Sequence, residues 1–186
     1  MLPRLLGEPL EKRGFHFVNG RGQPQAYDVI AAFVSLGISV RAVLDNEDFA
    51  PERRRQLGQV CKLFVWEGVR NIEEALCRWL SLEQLHEILE LAADLMGIEE
   101  RFLVPQVNDL IPEESRRSIT PCDWKTLRVT YSEDNIRAAL CGAMLRKKKS
   151  WFKTFERGHA LGEYLNGAEL PADFERQLER LTATMK

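Results

Sequence analysis

The front of the chain alternates short apolar runs with more polar segments that have helical spacing. Asn19-Gly20-Arg21-Gly22 reads as a turn after the first apolar run, and Pro24 and Pro51 stand where helices would begin. Gly37 is placed to end the first of these helices. The predicted strands are Phe15 to Val18, Ile38 to Leu44 and Lys62 to Trp66. Strands that alternate with helices in this way predict βαβ units, which form a parallel sheet with right-handed crossovers.

After Asn71 the pattern changes, and apolar residues recur at helical spacing almost to the C-terminus. A stripe that begins at Leu82 predicts core packing first and a homodimer surface second. The segment from Ile111 to Asp123 contains Pro and Ser and is the predicted linker. We therefore expect an α/β domain with a short parallel sheet at residues 1–110, and a helical C-terminal extension at residues 111–186. The predicted helices are Ile72 to Leu80, Leu82 to Met96, Arg101 to Val107, Asn135 to Leu145, Trp151 to Leu165 and Ala172 to about Thr184.

Composition narrows the class of protein but does not name an activity. The 186 residues carry a formal net charge of -2, so any contact with DNA must come from a local basic patch rather than from the whole chain. No apolar run approaches the roughly 20 residues that span a bilayer, and no membrane association is expected. The four cysteines are scattered, without a CxxC pair, which predicts reduced, mostly buried thiols and a cytoplasmic protein rather than a zinc site or a disulfide framework.

Acidic residues follow two of the predicted strands. Asp45 and Glu47 come directly after the second strand, and Glu73 and Glu74 stand at a helix start after the third. Ligands of parallel α/β sheets bind where the strands end, and carboxylate oxygens suit Mg²⁺ or Mn²⁺. These residues are therefore a candidate divalent metal site. The alternative is that they are turn formers and helix caps.

One basic run, from Arg146 through Lys147 and Lys148 to Lys149, is followed directly by Trp151 and Phe152. Such a run could bind DNA phosphates with an aromatic side chain nearby for stacking, or it could be a solvated helix end. The three histidines show no spacing typical of metal ligands and are interpreted as ordinary, partly exposed side chains.

Taken in order, several short segments resemble the TOPRIM half of OLD-family endonucleases, including the Gabija-type defence nucleases. The segments are Phe15 to Gly22, Val40 to Asp48, Leu63 to Trp66, Asn71 to Leu76 and Lys148 to Lys153. The resemblance covers roughly Leu2 to Leu165, and it rests on the order and spacing of the segments more than on any single one. It implies a TOPRIM or Rossmann-like sheet and metal-dependent cleavage of DNA.

The resemblance also assigns roles to individual residues. Asp45 and Glu47 match the acidic D-x-D motif that binds divalent metal, and Glu73 matches a later glutamate that joins the site. Lys153 matches the lysine that supports the scissile phosphate. In this scheme two Mg²⁺ or Mn²⁺ ions clamp the attacking and leaving oxygens, while the lysine offsets charge on the phosphate.

The chain departs from the family pattern in ways that change the expected activity. Met1 to Leu6 resembles the helix that follows the family's first strand, so that strand and its catalytic glutamate are expected to be missing. No GxxxxGK[ST] sequence is present, so an ATPase domain or subunit would have to come from outside this chain.

Three hypotheses about function follow. The first is a metal-dependent DNA endonuclease domain or fragment. The second is a non-catalytic module that binds DNA or a protein and keeps a degenerate TOPRIM site. A phosphatase of the haloacid-dehalogenase kind, which also places an aspartate after an apolar strand, is the third.

Overall fold

The structure of the chain is a computed structural model that describes residues 12, 14, 16, 18, 23–46, 51–117, 120–146, 151–152 and 154–185. The front of this part contains α1 (Gln23–Ser35), β1 (Arg41–Leu44), α2 (Pro51–Val60) and β2 (Lys62–Val65). The helices that follow are α3 (Ile72–Trp79), α4 (Leu82–Met96), α5 (Val104–Asn108), α6 (Trp124–Thr130), α7 (Glu133–Met144), α8 (Phe155–Gly167) and α9 (Ala172–Met185). Short 3-10 turns lie at Glu100–Phe102 and Glu113–Ser115. The fold is α/β and mostly helical, with one small sheet in the described residues.

The sheet consists of β1 and β2, which pair in parallel. Their register aligns Arg41 with Lys62 and Leu44 with Val65, so both strands end at the same edge. The predicted parallel pairing is confirmed for these two strands. Of the first predicted strand, Phe15 and Phe17 lie outside the described residues, and 16 and 18 belong to no strand.

One face of the sheet packs against α1 and α2. Ala42 and Leu44 from β1 are buried there with three helical side chains, Tyr27, Ile30 and Leu57. Leu63 and Val65 of β2 are partly buried against the same cluster. The predicted starts of α1 and α2 near Pro24 and Pro51 are confirmed, and Gly37 ends α1 with a φ of 74°. That left-handed conformation is the reason for glycine at this position.

The other face of the sheet is covered by α9, which comes from the far end of the chain. Arg41 of β1 donates a hydrogen bond of 2.6 Å to the Met185 carbonyl. The Gln177 side chain accepts from the Glu67 N–H and donates to the Glu67 carbonyl, each at 3.4 Å. The guanidinium of Arg180 lies 5.6 Å from the ring centroid of Phe64. The last predicted helix therefore packs against the sheet as a layer of its own.

The chain divides into two compact units. Residues 73–171 form the helical unit, and the described residues up to 72 together with 172–185 form the sheet unit. These units divide the chain at other positions than the predicted ranges 1–110 and 111–186, which stay a prediction about domains. Among the described residues, no helix is long and apolar enough to cross a membrane.

The longest described helix of the helical unit is α4. Its stripe is buried, which confirms the predicted core role: Leu82, Leu85, Ile88, Leu89 and Ala92. The Ser81 hydroxyl accepts from the Gln84 N–H at 3.1 Å, and the Gln84 side chain accepts from the Ser81 N–H at 3.0 Å. This reciprocal capping box fixes the first residue of α4. At the other end, Gly97 adopts the left-handed conformation that terminates the helix.

Two predicted helices were wrong at their boundaries. The helix expected from Arg101 to Val107 is interrupted, because Pro105 has no N–H for the preceding turn and instead stands in the first turn of α5. The helix expected from Trp151 begins at Phe155. Thr154 caps it by accepting a hydrogen bond of 3.3 Å from the Arg157 N–H.

The segment predicted to be a linker is fastened within the helical unit where it is described. The Arg116 guanidinium donates to the carbonyls of Asp109 and Ile111 at 2.9 and 3.0 Å. The Tyr131 hydroxyl donates to Asn108 at 2.8 Å and accepts from the Arg117 N–H at 3.3 Å. A segment with these bonds is part of the unit rather than a flexible connection. The linker prediction was wrong for these residues.

The four cysteines are free thiols, but they differ in exposure. Cys77 is buried, Cys61 and Cys141 are half-buried, and Cys122 is exposed. The hydrogen bond with Cys141 and the burial of the thiol raise the pKa of Cys77 well above its ordinary value.

We expect Cys122 to react first with iodoacetamide under native conditions, with Cys77 protected, because the thiolate is the nucleophile and must be reachable. Peptide mass spectrometry after a short labelling pulse measures the order, and full labelling in urea is the control. Equal labelling rates of Cys77 and Cys122 would contradict the packing around α3.

We expect Phe64→Ala to lower the free energy of unfolding by about 3–5 kcal/mol, because truncating a buried aromatic side chain leaves a cavity. Phe64 is 1% exposed, and Val43, its partner in the sheet register, is 44% exposed. Val43→Ala is the matched control on the same face, with an expected loss below about 1 kcal/mol. Denaturant titrations followed by circular dichroism give both values. Equal losses would mean that α9 does not cover this face as described.

Candidate functional site

The edge at which β1 and β2 end carries the first predicted ligand. Asp45 follows β1 directly and is exposed. The next residue, Asn46, is held by two bonds, one from its N–H to the Arg70 carbonyl at 2.5 Å and one that its side-chain oxygen accepts from Arg54 at 3.0 Å. We call these four residues the strand-end site. These two bonds hold Asn46, the residue after Asp45, so Asp45 leaves the strand in a defined position.

Arg54 of this site and its neighbour Arg55 lie on α2, and neither was predicted as a site residue. Arg54 and Arg55 line an open cavity of about 460 Å³ together with Leu63 and Val65 of β2. Arg55 also pairs with Glu52 at 2.5 Å. The signal in the sequence was the run of three arginines after Pro51, in the helix that directly follows the acidic strand end. From the sequence, Pro51 predicts a helix start here and no site.

The other predicted metal ligands, Glu47 and Glu73, do not belong to the described residues of the sheet unit. Glu47 lies outside the described residues. Glu73 stands half-buried in the first turn of α3, where a carboxylate is favoured by the helix dipole. Glu73 belongs to the helical unit and Asp45 to the sheet unit. The combination of Asp45, Glu47 and Glu73 therefore stays a prediction.

Most of the predicted DNA-contacting residues lie outside the described residues, namely Lys147, Lys148, Lys149 and Lys153. Arg146 is half-buried just after α7, and its N–H donates to the Ala143 carbonyl at 3.3 Å. Trp151 is only 1% exposed. A side chain this deeply buried presents no face to a nucleobase, so the suggested stacking was wrong for Trp151.

A second polar cluster, which we call the histidine cluster, consists of His86, Glu90 and Glu100 in the helical unit. One ligand atom from each residue lies within 4.8 Å of the others. Such a group could hold a metal ion. The sequence signal for the first two members was a histidine followed four residues later by a glutamate on one helix face. The third member joins only because the chain turns back after α4.

The chain matches no protein-family model, and neither the curated proteins nor the solved structures contain a match to it.

Proposed function

We propose that the sheet unit acts on phosphodiester bonds of DNA with the help of a divalent cation held at the strand-end site. The observation that carries this proposal is the position of Asp45, exposed and directly after β1 in a parallel pair. In parallel α/β sheets this edge is where ligands bind. The resemblance to the TOPRIM half of OLD-family endonucleases gives the reaction its class.

The residues of the strand-end site fit a hard cation. The Asp45 carboxylate supplies oxygen donors, the kind of ligand that Mg²⁺ and Mn²⁺ prefer. The Asn46 amide oxygen already accepts a hydrogen bond from Arg54, so we assign Asn46 to positioning rather than to metal binding. A site with only one or two carboxylates is enough for Mg²⁺, because the bound ion keeps several of its waters.

A bound cation would supply Lewis-acid chemistry at the phosphate and a more acidic water. Asp45 would hold that cation, and the arginines that line the cavity, Arg54 and Arg55, would place positive charge beside the phosphate. By resemblance, the proposal also includes Glu47 and Glu73 as further ligands of the cation. It places Lys153 at the scissile phosphate. In the same proposal, Arg146 to Lys149 would contact the DNA backbone.

We expect the chain to nick supercoiled plasmid in the presence of Mg²⁺ or Mn²⁺, and Asp45→Asn to lower the rate on the order of 100-fold. The substitution keeps the shape of the side chain and removes the charge that binds the cation. Gel electrophoresis of the plasmid over time measures the rate. Asp173→Asn on α9 is the control, since it changes only an exposed pair with Arg176. Nicking that is the same in both variants would contradict a role for Asp45 in the activity.

A second candidate is a non-catalytic module that binds DNA. The cavity lined by Arg54 and Arg55 favours it, because guanidinium groups bind phosphate without any metal. This module needs no catalytic glutamate and no cation at the strand end.

For this second function we expect a labelled DNA duplex to bind in EDTA, with an affinity that falls as salt rises. Replacing Arg54 and Arg55 together by alanine should lower the salt slope by about 2, one for each phosphate contact that is lost. Fluorescence polarisation at several salt concentrations gives the slope, and Arg176→Ala, on an exposed face of α9, is the control. An unchanged slope in the double variant would contradict phosphate binding in this cavity.

A further inference from the structure

Two members of the histidine cluster lie on α4, at the edge of its buried face. His86 and Glu90 are one helical turn apart, and the Nε2 atom of His86 lies 3.8 Å from a Glu90 carboxylate oxygen. Neighbouring positions of the same helix, Leu85 and Leu89, are fully buried in the core. The buried stripe fixes the rotation of α4 about its axis. It thereby holds the two polar side chains at the rim of the core, where they are partly exposed.

The third member reaches the same point through a chain reversal. Gly97 terminates α4, and the Ile98 N–H closes the turn onto the Ala93 carbonyl at 3.1 Å. The 3-10 turn that follows begins at Glu100. A carboxylate oxygen of Glu100 then lies 3.2 Å from His86 Nε2. The same imidazole nitrogen is therefore approached by two carboxylates from different parts of the chain.

Trp124, at the start of α6, fixes both His86 and Glu100. Its indole stacks on the imidazole with ring centroids 4.9 Å apart and an angle of 2° between the planes. Its backbone N–H donates to the same Glu100 oxygen at 3.2 Å. Asp123 caps α6 by accepting from the Thr126 N–H at 2.8 Å, a bond that lowers the pKa of Asp123. Hydrogen bonds to a ligating carboxylate from a group that is not itself a ligand, such as the Trp124 N–H, are typical of metal sites.

The distances suit a small cation. A tetrahedral ion with bonds of about 2.0–2.1 Å sets its ligand atoms roughly 3.4 Å apart. The separations of 3.2 and 3.8 Å from His86 Nε2 to the two carboxylates need only small side-chain adjustments to reach that value. Side-chain exposures of 28% for His86 and 54% for Glu90 leave the cluster open to ions from solvent.

We propose that His86, Glu90 and Glu100 bind a divalent transition-metal ion of the Zn²⁺ class. One imidazole with two carboxylates favours such an ion over Mg²⁺ or Ca²⁺, which prefer oxygen donors alone. Three protein ligands leave the fourth position of a tetrahedral ion for water or a small anion. This site is separate from the strand-end site of the sheet unit, and it stands whether or not that unit cleaves DNA.

A metal-free account of the same geometry is a histidine cation between two carboxylates. The two accounts differ in what a metal does to the protein. A metal site binds one ion and loses affinity when any ligand is replaced, whereas a charged pair gains nothing from added metal. Binding of the ion to the folded chain also raises its thermal stability, since ligands that bind the native state stabilise it.

The test is isothermal titration of the EDTA-treated, desalted full chain with Zn²⁺, together with thermal unfolding with and without the ion. We expect one Zn²⁺ per chain at this site and a higher Tm in its presence. His86→Gln and Glu90→Gln should each weaken binding by more than the roughly 10–100-fold that is typical when a group supporting a ligand is replaced, and should remove the rise in Tm. Glu90→Gln is the variant that keeps the His86–Glu100 contact, and circular dichroism verifies that both variants are folded.

The matched control is His159→Gln. His159 and Glu163 on α8 form another histidine–glutamate pair one turn apart, at 3.7 Å, and they belong to no three-residue group among the described residues. Binding that survives His159→Gln but not Glu90→Gln supports the proposal. Binding that is unchanged in His86→Gln and Glu90→Gln, equal weakening in His159→Gln, or no Zn²⁺ binding by the unaltered chain would overturn it.

Discussion

The packing of α9 on β1 and β2 is the interaction on which the sheet unit depends. Two strands of four residues each have two faces to cover, and a pair this small is at best marginally stable alone. Helices α1 and α2 cover one face, and α9 covers the other from the opposite end of the sequence. The buried Gln177 satisfies both backbone groups of Glu67, so the contact with α9 is specific as well as apolar.

The helical unit shows the same use of polar bonds to fix apolar packing. Arg137 on α7 donates to the carbonyls of Cys77 and Leu80 at 2.8 and 2.7 Å, where α3 ends. Its guanidinium also pairs with Glu133 in the first turn of its own helix. These bonds satisfy carbonyls that a helix end leaves without partners, and they join α3 to α7. The end of α3 is thereby held against α7.

The two candidate sites differ in the ligands that they offer and in how those ligands are supported. In the strand-end site, Asp45 lies in the irregular segment after β1, and the next residue, Asn46, accepts a hydrogen bond from Arg54. It offers oxygen donors and nearby guanidinium groups, which suit a hard cation and a phosphate. The histidine cluster presents its ligands from α4 and a 3-10 turn, with an indole packed against the imidazole. It suits a borderline cation that needs a nitrogen ligand and a fixed geometry.

Local signals in the sequence were enough for most helices and for the parallel strand pair. Pro51 and Gly37 mark helix ends through backbone constraints that act within a few residues, and the stripe on α4 identifies a core face. Asp45 was found for the same reason, because a carboxylate after an apolar strand is a local pattern. Pro105 and Thr154 are also local signals for a helix start. They are weaker signals than the apolar periodicity that continues across both positions, so the predicted helices began too early.

What the sequence by itself determined is thus most of the helices, the parallel pairing of β1 with β2, the α4 core stripe and the carboxylate at the end of β1. Only the tertiary structure decided that α9 belongs to the sheet, that Trp151 is buried, and that Glu100 meets His86. Each of these depends on contacts between residues far apart along the chain or beyond a chain reversal. The spacing of residues in a sequence carries no direct record of such contacts, because they arise from how whole elements bury their apolar faces against one another.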